Sequence, residues 1–477
     1  MILQSLVEHL NRSVRTAIDA SRYQNPRRTD VKATLVAGIA TVLATIGIAE
    51  MIRDARASTL QRDSDAAAPI ARGAVCADDG IFANGFDANL MPHPLYPGLD
   101  LSTLPGAGGA ASGAYQPPHL PCTVRNVSVS ASGTAAGVQL QNACATAGTA
   151  VQVPSAAGRI GVINLGHVED CDITLGSAVV IDFLVIGSLP GPTHAPSHRI
   201  RLRGGQIGSV LAYGPSSDIV FDGVAINNGV VPSASRSATG VYLPAGPAPT
   251  DVLDRFAVVN SFIRMVAVAN GSELDGSAHL SGRARNVFFA NNNIVTAGNR
   301  NSWGFRISGG ENVLIVDNSV RVSFHKLVRM NDDPVDYVYI KGGIWMREAT
   351  QTSGGALLND SFAQISGSTT DNVHIEDPTV YLLADAPVSF GASIEPAQSG
   401  RRWHARGITW HARNPGVISA ARMQQLEDLC VNIGGLCDYD AAGHSYNVDA
   451  SVQFPPDPWR DLPGFPDDDP DALPIQP

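Results

Sequence analysis

Arg306 and Arg329 each sit in the middle of an apolar triplet, Phe305-Arg-Ile307 and Val328-Arg-Met330. Aligned as copies of one repeat, the two arginines take the same outward position on adjacent strands, ~4.8 Å apart. Two guanidinium groups that close repel unless an anion lies between them. His325 and Lys326 lie nearby, with Asn331, Asp332 and Asp333 just beyond. Glu311 and Asp360 belong to the flanking copies, and Glu273 and Asp275 to the preceding one. Cations of this kind bind a sugar carboxylate, and a base among them removes the proton alpha to it, giving β-elimination. In that reading Arg306 and Arg329 hold the carboxylate, and Arg329 also belongs to the catalytic group. Lys326 or His325 is the base, and Trp303 adds a binding surface. The plainer alternative pairs the two arginines with Asp332, Glu311 or Asp360 on a solvated face, where such pairs contribute little. Asp332, Asp333 and Asp360 are the candidate metal set. Ca²⁺ is the ion that carboxylates and turn carbonyls suit, although the spacing does not demand it. Trp303, Tyr242, Trp345 and Trp410 offer sugar-stacking faces if they line one groove, and core packing otherwise.

An arrangement of that kind needs a rigid, repeating scaffold, and the segment 285–345 supplies its pattern. The stretches 287–294 (VFFANNNI), 313–320 (VLIVDNSV) and 337–344 (YVYIKGGI) share one frame. Each is a short alternating strand, then a polar turn pair, then a new inward residue. The frame recurs with first positions at 200, 219, 256, 373 and 403. Steps run from 19 to 37 residues, so some coils are bare and others carry inserted loops. A second, phased strand follows most copies, at 210–213, 241–243, 305–307, 328–330, 356–358 and 388–390. Two or three strands per turn with polar corners is the profile of a stacked-coil solenoid. Asn at the corners tolerates left-handed backbone and hydrogen-bonds along a stack.

This pattern resembles the right-handed parallel β-helix proteins of the pectate-lyase-like superfamily, over roughly residues 124–410. The resemblance rests on the rungs and implies an all-β solenoid with capped ends and a ligand groove on one strand face. Many members are lyases or hydrolases of acidic glycans, and others are adhesins or structural modules, so fold does not settle function. The family hydrolases of polygalacturonate carry Asn-Thr-Asp, Asp-Asp, Gly-His-Gly and Arg-Ile-Lys. This chain has Asp332-Asp333, Gly166-His167-Val168 and Tyr339-Ile-Lys341, a broken set that weighs against that class. The resulting expectation is a chain that binds or cleaves an acidic polysaccharide, with a non-catalytic adhesin or envelope module as the rival.

The remaining segments frame the solenoid. The chain has 477 residues, 44% hydrophobic and 16% charged, which is ample for one long core. The net charge of -11 argues against a duplex nucleic-acid partner, and the expected state is a monomer. Residues 1–57 read as an export signal, with an uncharged run from 33 to 49 and a small-x-small site at Ala55-Arg-Ala57. The alternative is a retained anchor over 33–52, the one route to a membrane. Residues 79–87 (DGIFANGFD) resemble a short segment near the start of secreted bacterial proteins, which implies export. Residues 58–123 read as linker and wrapping segment, 124–414 as the β-helix and 415–454 as a helical cap, with Ser419 as N-cap. Residues 455–477 are Asp- and Pro-rich and read as disordered. Six cysteines without a C-x-x-C pair favour disulfides, and Cys122–Cys144 with Cys430–Cys437 is the first guess.

Overall fold

The computed structural model describes residues 92–105, 113–187, 195–232, 237, 239–244, 250–265, 276–280, 283–296, 303–322, 326–330, 334–347, 352–353, 356–357, 362–365, 370–382, 401–414 and 416–455. Their regular structure is mostly β, in long parallel sheets, with two α-helices, α1 (Gly133–Cys144) and α2 (Ala420–Asn432). One sheet, sheet I, has 12 strands. A 17-stranded sheet divides into two further columns, sheets II and III, joined where Val180–Ile186 pairs with both Gln206–Ile207 and Val210–Ala212. The chain visits I, II and III in turn. Leu253–Val259, Phe262–Met265 and Gly276–Leu280 make one circuit, and each pairs in parallel with its counterpart in the next. This is a solenoid-like arrangement, compatible with a parallel β-helix. The inward residues of all three columns form one apolar cluster running from Val129 to Ala441. Each coil therefore covers the core of the last.

The corner between sheets I and II is the most regular feature. From Arg203 onward, eight successive coils cross it in two residues, the first being Arg203 to Gln206 and the last Arg406 to Thr409. Its first residue is left-handed, either Gly (204, 223, 342, 407) or Asn260, Asn291, Asp317 or Asp377. Those are the residue types that occupy φ > 0 at least cost. In three of these coils the second residue, Ser261, Asn292 or Asn318, turns inward and builds a polar ladder. Asn318 Oδ1 accepts from Asn292 N (3.0 Å), and Asn292 Oδ1 accepts from Ser261 N (2.9 Å). The Nδ2 groups of Asn292 and Asn318 donate to Val258 O and Phe289 O, both at 2.8 Å. Asn292 and Asn318 are buried, so these bonds meet a need that water cannot.

A second left-handed column runs through sheet I just before the first inward residue, from Asp170 to Asn372. Arg199, Arg255 and Tyr337 stand in it despite their bulk, at a cost of about 1–2 kcal/mol each. Each has a compensating partner. Arg199 grips Asp170 and Arg255 grips Asp218, both with Nε–Oδ1 distances of 2.6 Å, while Tyr337 donates its hydroxyl to Pro105 O at 2.8 Å.

The N-terminal segment lies on the outer face of sheet I. Leu99, Leu101, Leu104 and Tyr115 bury against Val220, Ala257, Phe288, Leu314 and Tyr339 in a second apolar cluster. His93 stacks on Phe288 at 3.9 Å. The Pro-rich stretch beyond is fastened every third residue. Gly113 O accepts from Asn312 Nδ2, and the backbone N–H groups of Gln116, His119 and Cys122 donate to Asn286, Asp218 and Asp170. Three residues of polyproline II rise ~9.3 Å, close to the ~9.6 Å spanned by two strand spacings. That match explains why the outer two fastening points, Asp170 and Asp218, skip one coil.

Several expectations are corrected. The repeat at 337 slips by one residue: Val338, not Tyr337, stacks on Val313 and Val373, and Tyr337 and Tyr339 face outward. A one-residue shift moves every side chain to the other face. Ala356–Leu357 is no rung but half of an antiparallel hairpin with Thr352–Ser353, and Ala363–Ile365 takes the rung position. The proposed strand at 388–390 lies outside the described residues. Helix α1 was not expected. It packs over the first coil, and Gly137 admits the close approach, since a Cβ there would lie 2.6 Å from Ile160 O. Cys144, at the end of α1, is bonded to Cys171 in sheet I, which excludes a Cys122–Cys144 bond. Cys430 is bonded to Cys437, and Ser419 Oγ caps α2 by accepting from Arg422 N at 3.2 Å.

The ladder can be tested directly. Asn318→Ala leaves the Asn292 N–H and the Phe289 carbonyl buried without that partner, each at about 1–3 kcal/mol. We expect the urea midpoint to drop by a corresponding amount, while the exposed substitution Asn291→Gly leaves it nearly unchanged.

Candidate functional site

Sheet III carries an outward column of aromatic and basic side chains. Its register places Tyr242, His279, Arg306 and Arg329 side by side on successive strands. The connections leading into this sheet from sheet II are also the long ones, such as Met265 to Gly276 and Arg347 to Ala363. Loops flanking a rigid sheet are where binding groups usually gather.

Trp303 organises the patch. It pairs in register with Lys326 and is almost wholly buried, yet it stands apart from the apolar core. Gly304 explains this local turn. A Cβ there would sit 2.6 Å from Val320 Cγ1 and 2.8 Å from Leu327 O, so only glycine lets the backbone close in on the core side. Both guanidinium groups lie over the same indole, Arg306 at 5.2 Å and Arg329 at 5.5 Å from the ring centroid. Such contacts stabilise by about 0.5–2 kcal/mol and fix the cation's plane. Arg306 Nε also donates to Ser308 Oγ at 3.1 Å. On the other side, Tyr242 stacks on His279 with centroids 5.0 Å apart.

The structure thus brings Arg306, Arg329, Lys326 and Trp303 together. Lys326 is 4% exposed and Trp303 1%, so Trp303 serves as the bed for two cations and not as an open stacking face for sugar. Trp345 and Trp410 are core residues, which removes them from any groove. Tyr242 is committed to His279. Glu311 pairs with Arg285 and Asp336 in sheet I, so it belongs to a different column from Arg306. His167 is an exposed corner residue with φ 56°. His325, Asp332, Asp333 and Asp360 lie outside the described residues, as do Asn331, Glu273 and Asp275. Among the described residues, no three His, Cys, Asp or Glu side chains are grouped to hold a metal ion.

Sequence reasoning missed His279 and Ser308. His279 sits in a short strand, Gly276–Leu280, with few apolar residues, and only the register reveals it. It also missed a cleft of about 130 Å³ on sheet I, bounded by Pro105, His374, Ile375, Glu376, His404 and Arg406. There the apolar outer face gives way to polar side chains. His374 and His404 are register partners and stack at 4.9 Å with planes 13° apart. The signal was present, since both follow the first position of the repeats at 373 and 403. Burial lowers the His374 imidazole to about 4, helped by His404, Arg402 and Arg406. His404 is lowered too, chiefly by burial, against the opposing pull of Asp438.

Comparison of the chain with protein-family models, curated proteins and solved structures returns no match. Its two described disulfides point to an oxidising compartment. No helix among the described residues is long and apolar enough to cross a membrane.

The stacked histidines predict a pH response. A folded pKa below the unfolded value of ~6.5 means that folding favours the neutral ring. That contribution is whole above pH ~6.5 and fades as the pH falls toward about 4. For His374 it is on the order of 3 kcal/mol. Melting curves from pH 7 to 4 should show a decline in wild type that His374→Gln makes shallower; parallel curves would contradict it. Asp218 acts at lower pH. Burial opposes its ionisation, but bonds from His119, Arg255 and Ser217 outweigh that and hold it well below the usual carboxylate range. Its contribution is present above pH ~4 and lost below, in acid.

Proposed function

We propose that this protein is an exported, right-handed parallel β-helix of the pectate-lyase-like kind that holds an acidic polysaccharide on the outer face of sheet III. The handedness follows the general rule for parallel crossovers. Export agrees with the disulfides and with the leader-like residues 1–57. The observation that carries the binding reading is the pair Arg306 and Arg329, in register and bedded on one indole. Two guanidinium planes preset at one strand spacing suit an anion that accepts from both, and their rigidity lowers the ordering cost of binding. A uronate carboxylate has that form. If the protein cleaves its ligand, β-elimination is the fitting chemistry, with Lys326 or His325 as base and Ca²⁺ at Asp332, Asp333 and Asp360 as a candidate aid.

A second reading is a surface module, adhesin or envelope protein, that retains the glycan without cutting it. The burial of Lys326 favours it, because a base must reach a substrate proton. Incubation with alginate, pectate and glycosaminoglycans separates the two by the ultraviolet absorbance of an unsaturated product. We expect at least one polymer to be retained by wild type. Arg306→Ala and Arg329→Ala should each weaken retention about tenfold or more, from the loss of ~1.5–3 kcal/mol per charged hydrogen bond. Retention that both variants leave intact would remove the site.

A further inference from the structure

We propose that the cleft on the outer face of sheet I, between Pro105 and the stacked pair His374 and His404, is a binding site for one uncharged sugar ring. It lies on a different face from the Arg306–Arg329 seat and does not depend on the reading given to that seat.

The N-terminal segment is held to sheet I through the left-handed column. Asn312 Nδ2 donates to Gly113 O at 2.9 Å, and on the next coil the Tyr337 hydroxyl donates to Pro105 O at 2.8 Å. Asn372, with φ 58°, is the next member of that column. Its Oδ1 is bonded to His374 Nε2 at 2.9 Å, which places its amide beside the cleft. Its Nδ2 is buried and, among the described residues, meets no acceptor. A buried N–H of that kind is costly until an oxygen reaches it.

The cleft holds about 130 Å³, close to the ~150 Å³ that accommodates a benzene ring, so it has the size of one six-membered ring. It opens to solvent, since the His404 and Arg406 side chains keep 35% and 61% of their surface exposed. Its walls mix acceptors and donors. Glu376 Oε2 accepts from the Tyr339 hydroxyl at 2.8 Å, which leaves Oε1 as an acceptor. Arg406 Nη2 donates to Asp438 at 3.2 Å, which leaves Nε and Nη1 as donors. Pro105 adds an apolar wall for a C–H face.

Charge selects the ligand class. In the two outward columns around the cleft, Lys341 and Arg406 balance Glu376 and Asp438. Arg402 is paired with Asp371, and burial keeps both imidazoles neutral at pH 7. An anion would meet two carboxylates and a cation two basic side chains. A hydroxyl both donates and accepts, so a ring carrying several of them satisfies carboxylate, guanidinium and amide together.

The test follows the imidazoles themselves. The full chain is labelled with carbon-13 at histidine, and ring C–H signals are recorded by nuclear magnetic resonance. His374→Gln and His404→Gln each remove one signal and so assign the pair. The probes are the methyl glycosides of glucose, galactose, mannose and xylose, with galacturonate, inorganic phosphate and tetra-alanine as ligands of other chemistry. We expect at least one methyl glycoside to shift both signals and to saturate at ~1–10 mM, as a ligand of that size does. Glu376→Gln and Arg406→Ala should each weaken binding about fivefold or more, the effect of one lost hydrogen bond. The other histidine signals, unchanged in position, report that these variants are folded. The inference is overturned if no methyl glycoside moves the two signals, or if both variants bind as wild type does. It is equally overturned if galacturonate, phosphate or the peptide moves the signals further at the same concentration.

Discussion

Everything in this molecule depends on a two-residue corner that must be crossed identically coil after coil. Its first residue enters left-handed backbone every time, and in three central coils its second, Ser261, Asn292 or Asn318, buries a polar side chain and satisfies it. The asparagines at 292 and 318 do this by bonding along the stack and to the strands beside them. A coil that failed here would lose both its own register and a partner for the next. Because the corner has constant length, coil length varies instead on the paths from sheet II to sheet III and from sheet III back to sheet I, as between Leu243 and Leu253.

That displacement gives the three faces different characters. Sheet I is covered along its middle by the N-terminal segment, whose backbone binds Asp170, Asp218 and Asn286. Sheet II carries the corner and, near its end, the Phe454 ring against Tyr381 and Arg321. Sheet III keeps its outward column beside the long connections. Rung stacking there converts a sequence separation of 23 residues, from Arg306 to Arg329, into direct adjacency over one indole. Chemistry on this protein is thus set by translation along the stack.

Much of the scaffold was legible in the residues, and the reason is periodicity. Frames at 200, 219, 256, 287, 313 and 373 share one register column. The copy at 337 misled because Tyr337 and Tyr339 look apolar and in phase, yet they serve the outer cluster. Helix α1 was illegible because its Ala- and Gly-rich sequence has little amphipathic contrast and it caps a single coil. The arginine pair could be read, since alignment of two short strands puts them side by side. The buried role of Trp303 could not, because it depends on the close packing at Gly304. His279 and Ser308 needed the register of a strand with almost no sequence signal.

Coil stacking is measured most directly by distance. Arg264 and Asn447 both face outward on sheet II and are linked by six consecutive register steps, through Val295, Arg321, Met346, Tyr381 and His411. Spin labels placed by Arg264→Cys and Asn447→Cys report their separation by pulsed electron resonance. Six steps of ~4.8 Å predict a single population near ~29 Å. A broad distribution, or a mean far from that value, would contradict the stacked coils and every site placed on them.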